Sequence, residues 1–174
     1  MTYIIGIDPG SPLTMALLSP SGRWVGHAGG DAVAVKAKRG WLNSPQRVAH
    51  ILRSWRDHAA SKGHSVATVI ENVGPMPGEG IVSACKFAGS IWLVKGALCA
   101  LDMDFTMTTP QEWKRGLKLT RDKYDSILLA RKVFPEKEWR VKRKMDHDYA
   151  EASLLAHYHK QKLEGNLVKQ GCNR

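Results

Sequence analysis

The sequence has little cysteine, and its three thiols are spaced for neither a disulfide nor a metal. Cys85, Cys99 and Cys172 form no CxxC pair and no Cys/His zinc pattern. If Cys85 and Cys99 share one helix, they stand roughly 21 Å apart at the usual rise per residue, too far to bridge. Reduced thiols and a cytoplasmic setting are the expectation. Uninterrupted apolar runs are short as well. None reaches the roughly 18 residues needed to cross a bilayer, so neither a transmembrane helix nor a membrane partner is expected. The opening MTYIIGIDPG carries no basic stretch ahead of its apolar residues, so it is not a secretory signal and reads as a first strand. Internal repeats, low-complexity tracts and interdomain linkers are missing too. The 174 residues therefore read as one domain over 1–165 followed by a short tail at 166–174.

Acidic residues are in the minority: 26 Lys and Arg face 16 Asp and Glu, for a formal charge of +10. The excess is local. Residues 110–145 hold twelve cations against five acids, whereas 146–174 hold four of each sign. A basic field of this kind attracts polyphosphates and speeds their encounter. The bland alternative is a solvated Lys-rich surface that binds nothing. Charge alone leaves the two about equal.

Hydrophobic patterning gives the element order. Residues 2–8 are β-rich and end at an Asp before a Pro-Gly turn, and two further strands fit 14–18 and 23–27, making an antiparallel meander. The stretch 28–43 lacks periodicity and reads as a loop. Ser44-Pro45 opens a helix that ends before Gly63. Residues 66–71 (VATVIE) read as a buried strand, followed by a Gly/Pro loop and a long helix over 81–101. A strand at 104–108, a capped short helix from Thr109-Pro110, a helix over 122–133 and a last helix from about Asp148 to Lys162 complete the chain. This order predicts an α/β fold with a mixed sheet and helices on both faces.

Acidic residues fall at informative places within that frame. Asp8 ends the first strand, Glu71 ends the fourth, and Asp148 and Glu151 share one face at the start of the last helix. Such hard oxygen ligands suit Mg2+ or Mn2+, and two such ions can drive phosphodiester hydrolysis. Each acid also has a structural reading: Asp8 as a turn residue, Asp148 and Glu151 as partners of a helix N-terminus. Taken together, and beside a basic segment, the four favour a metal site.

Three segments carry a resemblance: IIGIDPG, VIENVGPMPGEG and DHDYAEASLLAHY. In order and spacing they resemble the motifs of the RuvC-type Holliday-junction resolvases, especially the phage-like branch, along about 160 residues. The resemblance implies an RNase H-like five-stranded mixed sheet flanked by helices on both faces. It also implies a homodimer that resolves four-way DNA junctions by metal-assisted hydrolysis, in the cytoplasm of a bacterial host if phage-encoded. Asp8, Glu71, Asp148 and Glu151 would be the catalytic ligands of two Mg2+ ions, with Mn2+ able to substitute. The extra Asp146 leaves open which of the two Asp residues faces the metal, and the helical spacing to Glu151 favours Asp148.

TTPQEWKRGL and TRDK resemble the family's lysine sites, so Lys114 and Lys123 become candidates for the scissile phosphate. Arg115, Lys118, Arg121, Arg140, Lys142, Arg143 and Lys144 read as DNA-backbone contacts. One departure is plain. Where bacterial members have a wedging aromatic after the strand-terminal Glu, this chain has Asn72-Val73-Gly74-Pro75-Met76, with Met76 the only bulky substitute. A less selective nuclease for forks and flaps, or a non-catalytic DNA-binding module of the same fold, are the alternatives. An actin-like phosphotransferase is suggested only by IGIDPG and lacks a second Gly-rich phosphate loop.

Overall fold

The structure is a computed structural model that describes all residues except 11, 39, 75–77, 79, 121, 141–143 and 166–174; at 40, 41, 123 and 144 it describes the backbone only. The proposed tail thus lies outside the described residues. The strands are β1 (Thr2–Asp8), β2 (Thr14–Leu18), β3 (Trp24–Ala28), β4 (Ala34–Ala37), β5 (Gly40–Asn43), β6 (Ser65–Glu71) and β7 (Phe105–Thr108). The helices are α1 (Pro45–Ser61), α2 (Ile81–Ala100), α3 (Pro110–Gly116), α4 (Lys123–Val133) and α5 (Lys144–Leu163).

Five strands form one mixed sheet in the order β3-β2-β1-β6-β7. β1 to β3 are the expected antiparallel meander, while β6 and β7 add in parallel through helical crossovers. Alternation along β1 sorts side chains to two cores. Tyr3, Ile5 and Ile7 pack with Val48 and Leu52 of α1 and Val94 and Leu98 of α2. Ile4 faces the other way, joining Val69, Trp113, Ile127 and Leu155 under α3, α4 and α5. The helices therefore cover both faces, as the element order implies.

Three expectations need correction. Residues 28–43 are not all loop: β4 and β5 pair as a two-stranded hairpin. Its residues alternate too weakly to signal a strand, because Val35 and Leu42 are exposed. The last helix begins at Lys144 rather than near Asp148. Asp146 sits in its first turn and accepts the Arg140 N–H at 2.7 Å, so the role at the helix start falls to Asp146. Finally, α2 is long and apolar enough by length and composition to cross a membrane, although Lys86 and Lys95 interrupt its apolar run. Cys85 and Cys99 do share this helix, and both are exposed free thiols.

Helix α5 lies directly on the sheet because of one glycine. A Cβ at Gly6 would stand 2.2 Å from the Ala152 carbonyl oxygen and 2.8 Å from the Ala156 nitrogen. Only hydrogen fits between strand and helix there. This contact fixes where α5 crosses β1, and hence what lies one turn further along.

Candidate active site

Asp8 and Glu71 end neighbouring parallel strands, with Ile7 paired to Ile70 just before them. Ile4 and Val69 point toward α5. By strand alternation, Asp8 and Glu71 point the same way. From the Gly6 contact, α5 runs back one turn from Ala152 to Asp148, over the end of β1. Thr14, the β2 partner of Asp8, donates its hydroxyl to the Asp148 carbonyl at 3.3 Å. Asp8 and the start of α5 thus share a neighbour.

Helix α3 closes the other side. Thr109 caps it, accepting the Glu112 N–H at 3.2 Å, with Pro110 next in line. Trp113 is buried, and its indole N–H donates to Glu71 Oε1 at 2.8 Å. The next residue, Lys114, places Nζ 2.7 Å from Glu151 Oε1 and 5.3 Å from the Trp113 ring centre. Ser126 of α4 donates to the same Glu151 oxygen at 3.3 Å. Adjacent residues on one short helix therefore engage acids from two different elements.

The docking of α3 on α5 makes this possible. Glu151, Tyr158 and Lys162 lie along one stripe of α5 at helical spacing. Tyr158 donates to Glu112 Oε1 at 3.0 Å, and Lys162 reaches the same oxygen at 2.8 Å. The Lys162 hydrogen bond holds the Glu112 carboxyl below its ordinary range. Burial, reinforced by Glu112, pushes the Tyr158 phenol up to about 12. Gly116 completes the fit, since a Cβ there would meet Tyr158 Cε2 at 2.4 Å.

All four acids therefore stand at one end of the sheet and on one face. They do not form a preassembled ligand group: among the described residues, no three His, Cys, Asp or Glu side chains are grouped so as to hold a metal ion. The donors suit a hard divalent cation by chemistry, all being carboxylate oxygens. Two of them are engaged instead by Trp113, Lys114 and Ser126. Asp146, whose role was open in the sequence, is buried against the Arg140 backbone.

The basic residues separate. Lys114 is at the site, whereas Arg115 and Lys118 are exposed on and just after α3, and Lys118 adopts a positive φ of 56°. Arg140 is exposed and pairs with Glu138 at 3.3 Å. Lys123 opens α4, behind the Asp122 cap. Met76, Arg121, Lys142 and Arg143, with the side chains of Lys123 and Lys144, lie outside the described residues. Sequence reasoning missed Trp113, Ser126 and Thr14. Trp113 alone left a signal, as a bulky residue preceding Lys114 in a Pro-capped helix.

Two solved structures share this architecture over nearly the whole chain. RuvC of T. thermophilus in complex with a Holliday junction substrate matches with a TM-score of 0.65 at 18% sequence identity, covering 95% of this chain and 97% of that one. A second Thermus thermophilus RuvC structure matches with a TM-score of 0.64 at 18% identity, covering 94% of this chain and 96% of that one. No protein-family model and no curated protein sequence matches the chain. The chain has the RuvC form of the RNase H-like fold, reached at low sequence identity.

Proposed function

We propose that the chain is a structure-selective DNA endonuclease that resolves Holliday junctions by divalent-metal-assisted phosphodiester hydrolysis. The observation that carries this reading is the placement of Asp8 and Glu71 at adjacent strand ends of a RuvC-like sheet, with Thr14 tying the Asp148 backbone beside them and Lys114 paired with Glu151. A RuvC structure of the same fold holds a Holliday junction substrate.

In this reading Asp8, Glu71, Asp148 and Glu151 would hold two Mg2+ ions, with Mn2+ able to replace them. Ions bound there would lower the pKa of an attacking water and offset charge on the leaving oxygen. The chain's own groups do the rest. Lys114, with Lys123, neutralises charge on the scissile phosphate as it develops. Arg115, Lys118 and Arg140, with Arg121, Lys142, Arg143 and Lys144 of the same basic segment, bind the duplex backbone and orient it. A homodimer would present two such sites to two strands of a junction. The exposed Ile81, Val82 and Trp92 of α2 supply an apolar surface for it.

Cleavage of a synthetic four-way junction with and without Mg2+, by the wild type and Glu71→Gln, tests the reading. Mg2+-dependent junction cutting that Glu71→Gln abolishes is the expected result. A fork and a linear duplex belong in the same assay, because Gly74 is exposed and offers no wedge. Equal cutting of junction and fork favours the broader branched-DNA nuclease, and equal cutting of all three overturns the resolvase reading.

A further inference from the structure

Among the described residues Lys114 is the cation paired with Glu151, and it is not a loose surface partner. Its Nζ lies 2.7 Å from Glu151 Oε1, with side-chain exposures of 20% and 11%. Solvent screens such a pair far less than an exposed one. Ser126 donates to the same oxygen. Any divalent cation that takes this oxygen must displace a charge-assisted hydrogen bond already made to it.

The lysine cannot drift away freely, because its neighbour is anchored. Trp113 is 1% exposed and bonded to Glu71, and α3 is fastened to α5 through Glu112 and Gly116. What remains movable is the Lys114 side chain, a flexible stem carrying a compact charge. Once Glu151 is taken by a stronger cation, that ammonium is left beside a like charge. A phosphate oxygen is then its best available partner.

We infer that Lys114 is an exchange cation: it occupies Glu151 until a divalent cation displaces it, and displacement delivers it to the DNA phosphate. Trp113 is the positioning residue that keeps α3 in register for this exchange. The inference rests on the metal-site reading above and adds to it an order of events. By linkage, phosphate that captures Lys114 strengthens the cation site, and a cation there strengthens phosphate binding.

Isothermal titration of Mn2+ into the full chain without DNA tests this, with Lys114→Gln, Lys114→Met and Lys114→Arg beside the wild type. Lys114→Gln keeps a hydrogen-bond donor and most of the stem, which protects the fold around the buried Glu151. Removing the competing charge is expected to tighten Mn2+ binding about tenfold in both neutral variants, equivalent to about 1.4 kcal/mol. Lys114→Arg keeps the charge and is expected to stay near the wild type. Equal or weaker Mn2+ affinity in the neutral variants overturns the exchange. If the wild type still binds Mn2+ and Glu71→Gln does not, the metal-site reading survives that result. An absence of Mn2+ binding in the wild type and the neutral variants alike overturns both.

Discussion

The two faces of the central sheet are packed by different chemistry. Under α1 and α2 the core is built from aliphatic side chains such as Ile5, Ile7, Leu17, Leu52 and Leu98. Under α3, α4 and α5 the aliphatic packing is threaded by polar pairs, Trp113 with Glu71 and Lys114 and Ser126 with Glu151, while at the exposed rim Tyr158 and Lys162 reach Glu112. One face is a scaffold, and the other holds carboxylates in a partly buried setting where charge–charge contacts are strong. A buried acid is costly unless partnered, so the site brings its own partners. The scaffold face has no such demand. It leaves α2 free to expose Ile81, Val82 and Trp92 instead.

This contrast can be broken experimentally. The largest expected effect is on chemistry. Asp8→Asn should lower Mg2+-dependent junction cleavage on the order of a thousandfold, the loss of several kcal/mol of transition-state stabilisation. Melting should change little; retained cleavage would remove Asp8 from the site. On the scaffold face the balance reverses. Leu52→Ala, at a fully buried position, should cost about 2–5 kcal/mol in denaturant unfolding. Its cleavage rate well below the melting temperature should stay within about twofold of wild type, if stability is the only term it touches.

Gly6→Ala joins the two behaviours. The added Cβ must push against the Ala152 backbone, which should cost about 1–3 kcal/mol and also shift Asp148 and Glu151 relative to Asp8. A loss of stability without loss of cleavage would mean that the crossing of α5 does not set the site.

The smallest effect concerns pH. Burial, with Lys160 nearby, holds the His157 imidazole below its ordinary 6.5, and burial with Lys162 does the same for His159. The unfolded chain therefore binds more protons as the solution becomes acidic. This contribution to stability is complete above pH 6.5 and is lost as pH falls through the lowered values. The melting temperature should drop by a few degrees between about pH 7.5 and about pH 5.5, and His159→Leu should flatten that slope. A slope unchanged in His159→Leu would assign the effect elsewhere.

Much of this arrangement is legible without coordinates. The meander, the later strand–helix alternation and the caps at Ser44 and Thr109 follow from local preferences that the fold leaves intact. Asp8 and Glu71 are legible because a strand end is a local event and a carboxylate there is conspicuous. The hairpin at 34–43 was not, because its strands are half-exposed and carry no clean period. The start of α5 at Lys144 is not legible either, because the stabilising contact of Asp146 runs to the Arg140 backbone, which no spacing rule reveals.

By itself, the sequence determines the order of the central-sheet strands and the helices, the two-faced sheet and the identity of four candidate acids, since these depend on periodicity and residue type. Only the tertiary structure decides what each acid touches. Trp113 meets Glu71 and Lys114 meets Glu151 because Gly6 lets α5 onto β1 and Gly116 lets α3 onto α5. These are contacts between segments up to about 150 residues apart in the chain, set by whether a single Cβ would fit. The chemistry of each acid is written in its residue type, and its partner is fixed by close packing.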